Sequence, residues 1–344
     1  MFRRLLIFSL TAALLFGLAA TGFTAKETLH MYTAFDVDEA KIYMDAFKES
    51  YPDIDVKWVR MSAGEVLARV RAEAKNPQAS IWFAGPSTSH IAAAGHDLLD
   101  PYTESLAWQY LPADFKDPEG RWTGFYTGFI GFATNKEFLE KHGVEAPTSW
   151  NDLLKPVFKK EISKAYAYTS GTAYTTLISQ LQAIGPKKLG WDQEDEEYIK
   201  KLSAQIHHYT KAGSACVTEA GLGEVAVGIA FSHDIVAKGI AKGYPVVMSF
   251  PKEGTGYEIG AVSLIKGGPE PQLARVFFDW LMSAEAQSLF KKWNRVPLNP
   301  QAELAEGLVT AAQVPVIEGF GGRITWYGER KDEIIDRWRQ ITGR

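Results

Sequence analysis

Three features of the sequence predict a two-lobed α/β fold. Each lobe would be a mixed, mostly parallel sheet flanked by helices, and two crossover strands would join the lobes. First, strand-like and helix-like periods alternate as βαβαβα over residues 28–95, which implies a parallel sheet with right-handed crossovers. Second, residues 122–134 (WTGFYTGFIGFAT) are aromatic, glycine-spaced and without a helical period. Such a segment suits a long strand that passes from one lobe to the other and approaches other backbone closely at its glycines. Third, strand-like runs return at 244–250 and 259–265, after a second set of helices. A chain of 344 residues is long enough for about two domains. The expected division is 26–128 with 251–300 for the first lobe, and 129–250 with 301–344 for the second.

Residues 1–25 have the pattern of a secretory signal peptide. Arg3 and Arg4 precede an apolar run over 5–20, and small residues follow up to Ala25. The run is shorter than the roughly 20 apolar residues of a spanning helix, so a cleaved leader and an exported, soluble protein are expected. Residues 28–34 (TLHMYTA) alternate as a first strand. Asp36 is placed to cap a helix over 37–50, whose apolar stripe is Ala40, Tyr43, Met44 and Phe47. Residues 54–60 (IDVKWVR) alternate again. Ser62, with Glu65 three residues on, forms a capping-box pattern; its helix carries Val66, Leu67 and Val70 and stops near Asn76-Pro77. Residues 80–84 (SIWFA) read as a buried strand, and 85–89 lead into another helix.

The second lobe is expected to contain a helix at Trp150, an extended aromatic segment over 166–172, two helices, and a buried strand over 225–231. A helix over 272–293, with the stripe Ala274, Phe277, Phe278 and Leu281, would cap the first lobe. A helix over 331–341 closes the chain.

Several function classes are disfavoured. Formal net charge is −4, and −6 once the leader's two arginines are gone, which speaks against nucleic acid as a partner. Cys216 is the single cysteine; it can form no internal disulfide and reads as a small buried hydrophobe. No GxGxxG or GxxxxGK[ST] motif occupies the βα loops, so no dinucleotide, P-loop or other cofactor is expected. His30, His90, His96 and His142 are scattered, His207 and His208 are adjacent, and no HExxH is present, so no metal site is expected. No GxSxG elbow occurs, and the adjacent Ser232-His233-Asp234 would point to alternate faces of a strand. A hydrolase is therefore disfavoured and a non-enzymatic role expected.

What remains is a set of polar groups at loop starts. Thr33, Ser62, Ser87, Thr88 and the run Ser170-Gly171-Thr172 stand where strands end and helices begin. Each can cap a helix or help a helix start grip an anion. Their repetition on both lobes points to an anion held by neutral N–H and O–H donors, without a lysine. Residues 223–234 (GEVAVGIAFSHD) end a buried strand on a hydroxyl, an imidazole and a carboxylate, at the sheet edge where open α/β sheets bind ligands. His233 and Asp234 would accept hydrogen bonds from ligand hydroxyls or ammonium groups, or serve as a structural pair capping a helix over 235–242. In the second crossover, Lys252 and Glu253 read as solvated or hinge-local, and Glu258 as the better candidate for the cleft. Two α/β lobes on two crossovers describe a clamp that closes by hinge motion.

The runs LHMYTAFD, SGTAYT, GEVAVGIAFSHD, PKEGTGYEIGAVSLIKG and FDWLMSAEAQ resemble bacterial extracellular solute-binding proteins of ABC importers, over nearly the whole mature chain. The similarity is closest to the ferric-ion-binding-like branch. The resemblance implies a type II-like periplasmic-binding-protein clamp, a periplasmic monomer that delivers a small anionic solute to a cognate permease in the inner membrane. Iron-binding members carry two adjacent tyrosines after the strand that here ends in Ser232-His233-Asp234, and this sequence has none there. The SHD and SGT segments instead resemble members that bind hexose phosphates. By that resemblance His233, Asp234 and Glu258 would hold sugar hydroxyls, and Ser62 with Ser170, Gly171 and Thr172 the phosphate. Ferric iron or another inorganic ion, a phosphonate and a phosphoglycerate are the alternative ligands within the same fold.

Overall fold

The computed structural model describes residues 27–187 and 189–344; the expected signal peptide lies outside the described residues. The first lobe opens with β1 (Glu27–Thr33), α1 (Val37–Ser50), β2 (Ile54–Arg60), α2 (Ala63–Ala72), β3 (Ile81–Pro86), α3 (Ser87–Gly95), β4 (Leu99–Asp100) and α4 (Leu106–Tyr110). The long strand β5 (Thr123–Asn135) enters the second lobe. There α5 (Lys136–His142), β6 (Ile162–Ala165), α6 (Gly171–Ala183), α7 (Gln193–Gln205), β7 (Ile206–Thr210), α8 (Ala215–Leu222), β8 (Val227–Phe231), the short α9 (Ser232–Asp234) and β9 (Val246–Ser249) follow. Returning to the first lobe, the chain adds β10 (Tyr257–Ile265), α10 (Pro271–Leu281), α11 (Ala284–Ser288) and β11 (Val296–Pro297), and it ends in α12 (Phe320–Glu329) and α13 (Lys331–Thr342).

The strands run in the order β2-β1-β3-β10-β5-β8-β6-β7. Pairing is parallel from β2 to β3 and from β8 to β7, and antiparallel wherever β10 or β5 takes part. One strand serves both lobes: Thr123 to Phe129 of β5 pair with β10, and Ile130 to Thr134 pair with β8. All thirteen residues of β5 are buried. The second crossover runs beside it, with Ile130 N–H donating to Gly256 O at 3.1 Å. Trp150 fastens that crossover to the second lobe by donating from Nε1 to Gly254 O at 2.9 Å. Glu253 belongs to the same junction, accepting from Trp150 N–H at 3.3 Å.

Local chemistry accounts for the elements and for the differences from expectation. The α1 stripe is buried as its period implies, and α6 buries Tyr174, Leu177 and Leu181. Each such side chain contributes about 1.5–3 kcal/mol. The helix expected over 272–293 is broken, because Ser283 Oγ accepts from Ala286 N–H at 3.1 Å and starts a new helix. The Trp150 helix is only a tight turn over Asn151–Leu154. The segment expected to be extended over 166–172 is a turn that leads into the first residues of α6, and its rings pack together: Tyr166 lies on Tyr209 at 5.1 Å and Tyr168 beside it at 5.0 Å. Residues 232–234 are helical and run on into a wide turn over Ile235–Gly239, so His233 and Asp234 are not forced to opposite faces of a strand. Cys216 is buried, as its composition class implies, and burial pushes its thiol pKa up.

The lobes touch across the cleft. Gly64 N–H, at the start of α2, donates to Thr169 O of the second lobe at 2.9 Å. A Cβ at Gly64 would stand 2.1 Å from Tyr168 O and 2.8 Å from Thr169 O, closer than any side chain tolerates. Gly64→Ala is expected to part the lobes here while each stays folded. Its circular dichroism should match the wild type and its radius of gyration by small-angle X-ray scattering should be larger; an equal radius would contradict the contact.

Candidate functional site

The cleft between the lobes holds a cavity with about 440 Å3 of empty space, part of it open to solvent. The starts of α2 and α6 bring neutral donors to it. Ser62, Ala63, Ser170, Gly171 and Thr172 all line the cavity, joined by Gly85 and Pro86 from β3 and by Gly213 and Ser214 before α8. The first four amides of a helix have no partner within it. Ser170 satisfies one at α6, its Oγ accepting from Ala173 N–H at 3.3 Å, while its carbonyl takes the first regular helical bond, from Tyr174 N–H at 3.0 Å. The amides of Gly171 and Thr172 head the same helix beside the cavity. At α2 the expected capping box is present, the Glu65 carboxylate accepting from Ser62 N–H at 3.1 Å.

His233, Asp234 and Glu258 line the opposite side together with Tyr126, Phe231 and Arg295. The guanidinium of Arg295 is the centre of this group. It makes a bidentate pair with Glu39, at 2.7 Å from Nε and 2.9 Å from Nη2. Its Nη1 lies 2.5 Å from His233 Nε2 and 3.3 Å from Glu258 Oε1. The aromatic faces of Phe35 and Tyr126 cover it at 4.7 and 4.5 Å. Tyr126 donates to Glu258 Oε2 at 3.4 Å, and Phe231 stacks on His233 at 5.2 Å. Gly128 of β5 makes room for the imidazole, since a Cβ there would fall 2.2 Å from His233 Nδ1. Asp234 differs from its neighbours: its carboxylate accepts no hydrogen bond from the described residues, its nearest ionic neighbour being His233 Nε2 at 3.8 Å.

Between the two sides stands a second charged group. Asp36 accepts from Arg60 at 2.6 Å, from Ser214 Oγ at 2.8 Å, and from Lys238. Ser214 and Lys238 belong to the second lobe, so Asp36 ties the lobes together. It occupies the N-cap position of α1, but its side chain makes no capping bond, because these stronger partners claim it. Asp36 and Arg60 therefore add ionic side chains beside the loops that the sequence reads as neutral donors.

Of the residues the sequence nominates, the structure gathers Ser62, Ser170, Gly171, Thr172, His233, Asp234 and Glu258 around one cavity. Thr33 lies beneath it, fully buried, its Oγ1 accepting from Phe35 N–H at 3.2 Å. Ser87 and Thr88 are away from the cavity lining, because β3 runs without a loop into α3 and places them in the buried first turn; Gly85 and Pro86 reach the cavity in their place. Arg60, Tyr126, Ser214 and Arg295 also line it without having been nominated. No group of three or more His, Cys, Asp or Glu among the described residues is arranged to hold a metal ion.

Burial sets the protonation of this site. It pushes the Glu258 carboxyl up to about 8 against the pull of Arg295, with Asp234 and Glu39 adding to the rise. It pushes Asp234 up to about 7 against the same pull. Burial, Arg295 and Lys238 together hold His233 well below the ordinary imidazole range, so the ring is neutral. Burial would also raise Asp36, but Lys238 and Arg60 keep it below the usual carboxylate range. A carboxyl whose pKa is raised on folding binds its proton more tightly in the native state, so stability falls as pH rises from about 4.5 toward 8. Glu258→Gln removes that loss. Its melting temperature is expected to exceed the wild type's at pH 8, by the equivalent of about 1 kcal/mol or more, with the gap closing toward pH 5. A gap independent of pH would contradict the assignment.

Comparison with known proteins agrees with this architecture. Residues 87–318 match the family described as bacterial extracellular solute-binding protein. A Sinorhizobium fredii relative, named as a probable ABC transporter periplasmic-binding protein, is 29% identical over 72% of this chain and 68% of its own. The periplasmic binding protein AfuA of Actinobacillus pleuropneumoniae, solved with fructose-6-phosphate bound, superposes with a TM-score of 0.85 at 31% identity, covering 92% of this chain and 99% of that one. A ferric binding protein from Campylobacter jejuni shares the fold alone, with a TM-score of 0.73 at 19% identity over 92% and 98% of the two chains. A family match over two thirds of the chain and a solved relative above 30% identity, on a two-lobed α/β scaffold with a polar interlobe cavity, place the chain among the bacterial extracellular solute-binding proteins.

Proposed function

We propose that this protein works in the periplasm as the monomeric solute receptor of an ABC importer, with residues 1–25 as its leader. Its cleft would hold an organophosphate anion, a sugar phosphate foremost, and present it to a cognate permease in the inner membrane. The observation that carries this reading is the division of the cavity into a donor side and an acceptor side. The amides of Gly171 and Thr172, with Ser62 beside them, suit an anion. The unengaged carboxylate of Asp234, with Glu258 behind it, suits the hydroxyls of a polyol. A ligand anionic at one end and hydroxylated at the other satisfies both.

Closure follows from differential affinity. An anion that contacts α2 of one lobe and α6 of the other binds the closed form better than the open one and shifts the population toward it. Ferric iron is less well supported. It favours phenolate and carboxylate oxygens, and Tyr126, the one tyrosine among the cavity-lining residues, is already engaged with Glu258 and with Gly85 N–H at 3.3 Å. Binding rather than turnover fits the place of Ser232, whose Oγ accepts from Phe129 N–H at 3.3 Å, on the sheet side.

Asp234→Ala is expected to weaken fructose 6-phosphate binding at least tenfold, or about 1.4 kcal/mol, by isothermal calorimetry. Unchanged affinity would remove Asp234 from the site. Native mass spectrometry of the purified wild type is expected to reveal a co-purified organic phosphate, and added ferric iron should produce no charge-transfer band.

A further inference from the structure

His233 has two ring nitrogens, and its neighbours decide which one carries the proton. Nη1 of Arg295 lies 2.5 Å from Nε2. A guanidinium offers donors only and stays charged at any ordinary pH, so Nε2 must present its lone pair and the proton must sit on Nδ1. That nitrogen is buried against Gly128, without a hydrogen-bond partner among the described residues. Glu258 Oε1 at 3.4 Å and Asp234 Oδ2 at 3.8 Å also face Nε2. An ionised carboxylate so placed would ordinarily draw a proton onto that nitrogen; the Arg295 donor already on it prevents this. Arg295 itself has little freedom, gripped through two oxygens by Glu39 and covered by two aromatic faces. Glu39 does not line the cavity; its hydrogen bonds to the site run through Arg295.

We propose that Arg295, anchored by Glu39, is a positioning residue that fixes His233 as an Nδ1-protonated acceptor and leaves the Asp234 end of the cleft without an imidazole donor. This rests on reading the cleft as an organophosphate site. Its consequence is selectivity. With Asp234 ionised, the end away from the anion admits ligand groups that donate, hydroxyl or ammonium, and repels a second carboxylate or phosphate. Without the guanidinium, Nε2 takes up a proton shared with Glu258, and the same end offers a donor to the ligand.

The test is the 15N spectrum of histidine-labelled, ligand-free protein at pH 7, with the His233 signals assigned by their loss in His233→Asn. The expected result is a neutral ring with Nδ1 protonated and Nε2 bare. A proton on Nε2, or on both nitrogens, overturns the proposal, and this measurement needs no variant of Arg295 to fold. In Arg295→Met the proton is expected to move to Nε2. Affinity for fructose 6-phosphate should fall at least tenfold while that for inorganic phosphate changes less than threefold. A variant that binds fructose 6-phosphate as tightly as the wild type also overturns it. Wild-type protein that shows the bare Nε2 yet binds neither anion would refute the organophosphate reading while supporting the hold of Arg295 on the ring.

Discussion

A buried guanidinium left without partners costs several kcal/mol, and removing one member of a buried pair is correspondingly damaging. In this protein that requirement falls on Arg295, just ahead of β11, and its resolution shapes the rear wall of the cleft. Glu39 comes to it from α1, Glu258 from β10 and His233 from α9, so a single charge draws on both lobes. Paired bidentate with Glu39, the arginine is electrostatically satisfied before any ligand arrives. What it leaves over is the carboxylate of Asp234, which lies at the edge of the group and accepts no hydrogen bond from the described residues. The acceptor side of the cleft is thus a remainder of the way one buried cation is neutralised.

The donor side has a different origin. Two helices of separate lobes begin at the cleft; the Gly171 and Thr172 amides head α6 beside the cavity, whereas at α2 the Ser62 and Gly64 amides are taken by Glu65 and Thr169. Asp36 stands beside them, compensated by Arg60 from its own lobe and by Lys238 and Ser214 from the other. It is well placed to favour approach of the lobes without supplying negative charge to the anion end, since two cations face it. The contact of Gly64 with Thr169 completes the approach at close range. The lobe-to-lobe contacts of Asp36 and Gly64 thus stand apart from the Arg295 group on one surface.

Much of the scaffold was legible in the sequence because it depends on local periodicity. The alternation of β1 and β2, the stripe of α1, the capping pattern at Ser62 and the uninterrupted apolar glycine-spaced β5 are each written within a few residues. The candidate site was legible where polar residues cluster at the end of an element, as at Ser170-Gly171-Thr172 and His233-Asp234. Arg295 and Glu39 were not, since they lie 256 positions apart and each looks alone like an ordinary surface charge. Asp36 was misread because its position is that of a helix cap, and only the folded chain shows stronger partners within reach. Ser87 and Thr88 were misplaced because nothing in a short hydroxyl run reveals whether a strand meets its helix through a loop or directly.

The central claim is that an anion sits at the starts of α2 and α6 while hydroxyls face Asp234. A crystal structure of the protein grown with fructose 6-phosphate tests it most directly. The account predicts the phosphate within hydrogen-bond distance of the Gly171 and Thr172 amides and a sugar hydroxyl on the Asp234 carboxylate, with the Arg295–Glu39 pair undisturbed. A phosphate seated on Arg295 in place of Glu39, or a ligand bound outside the interlobe cleft, would contradict it.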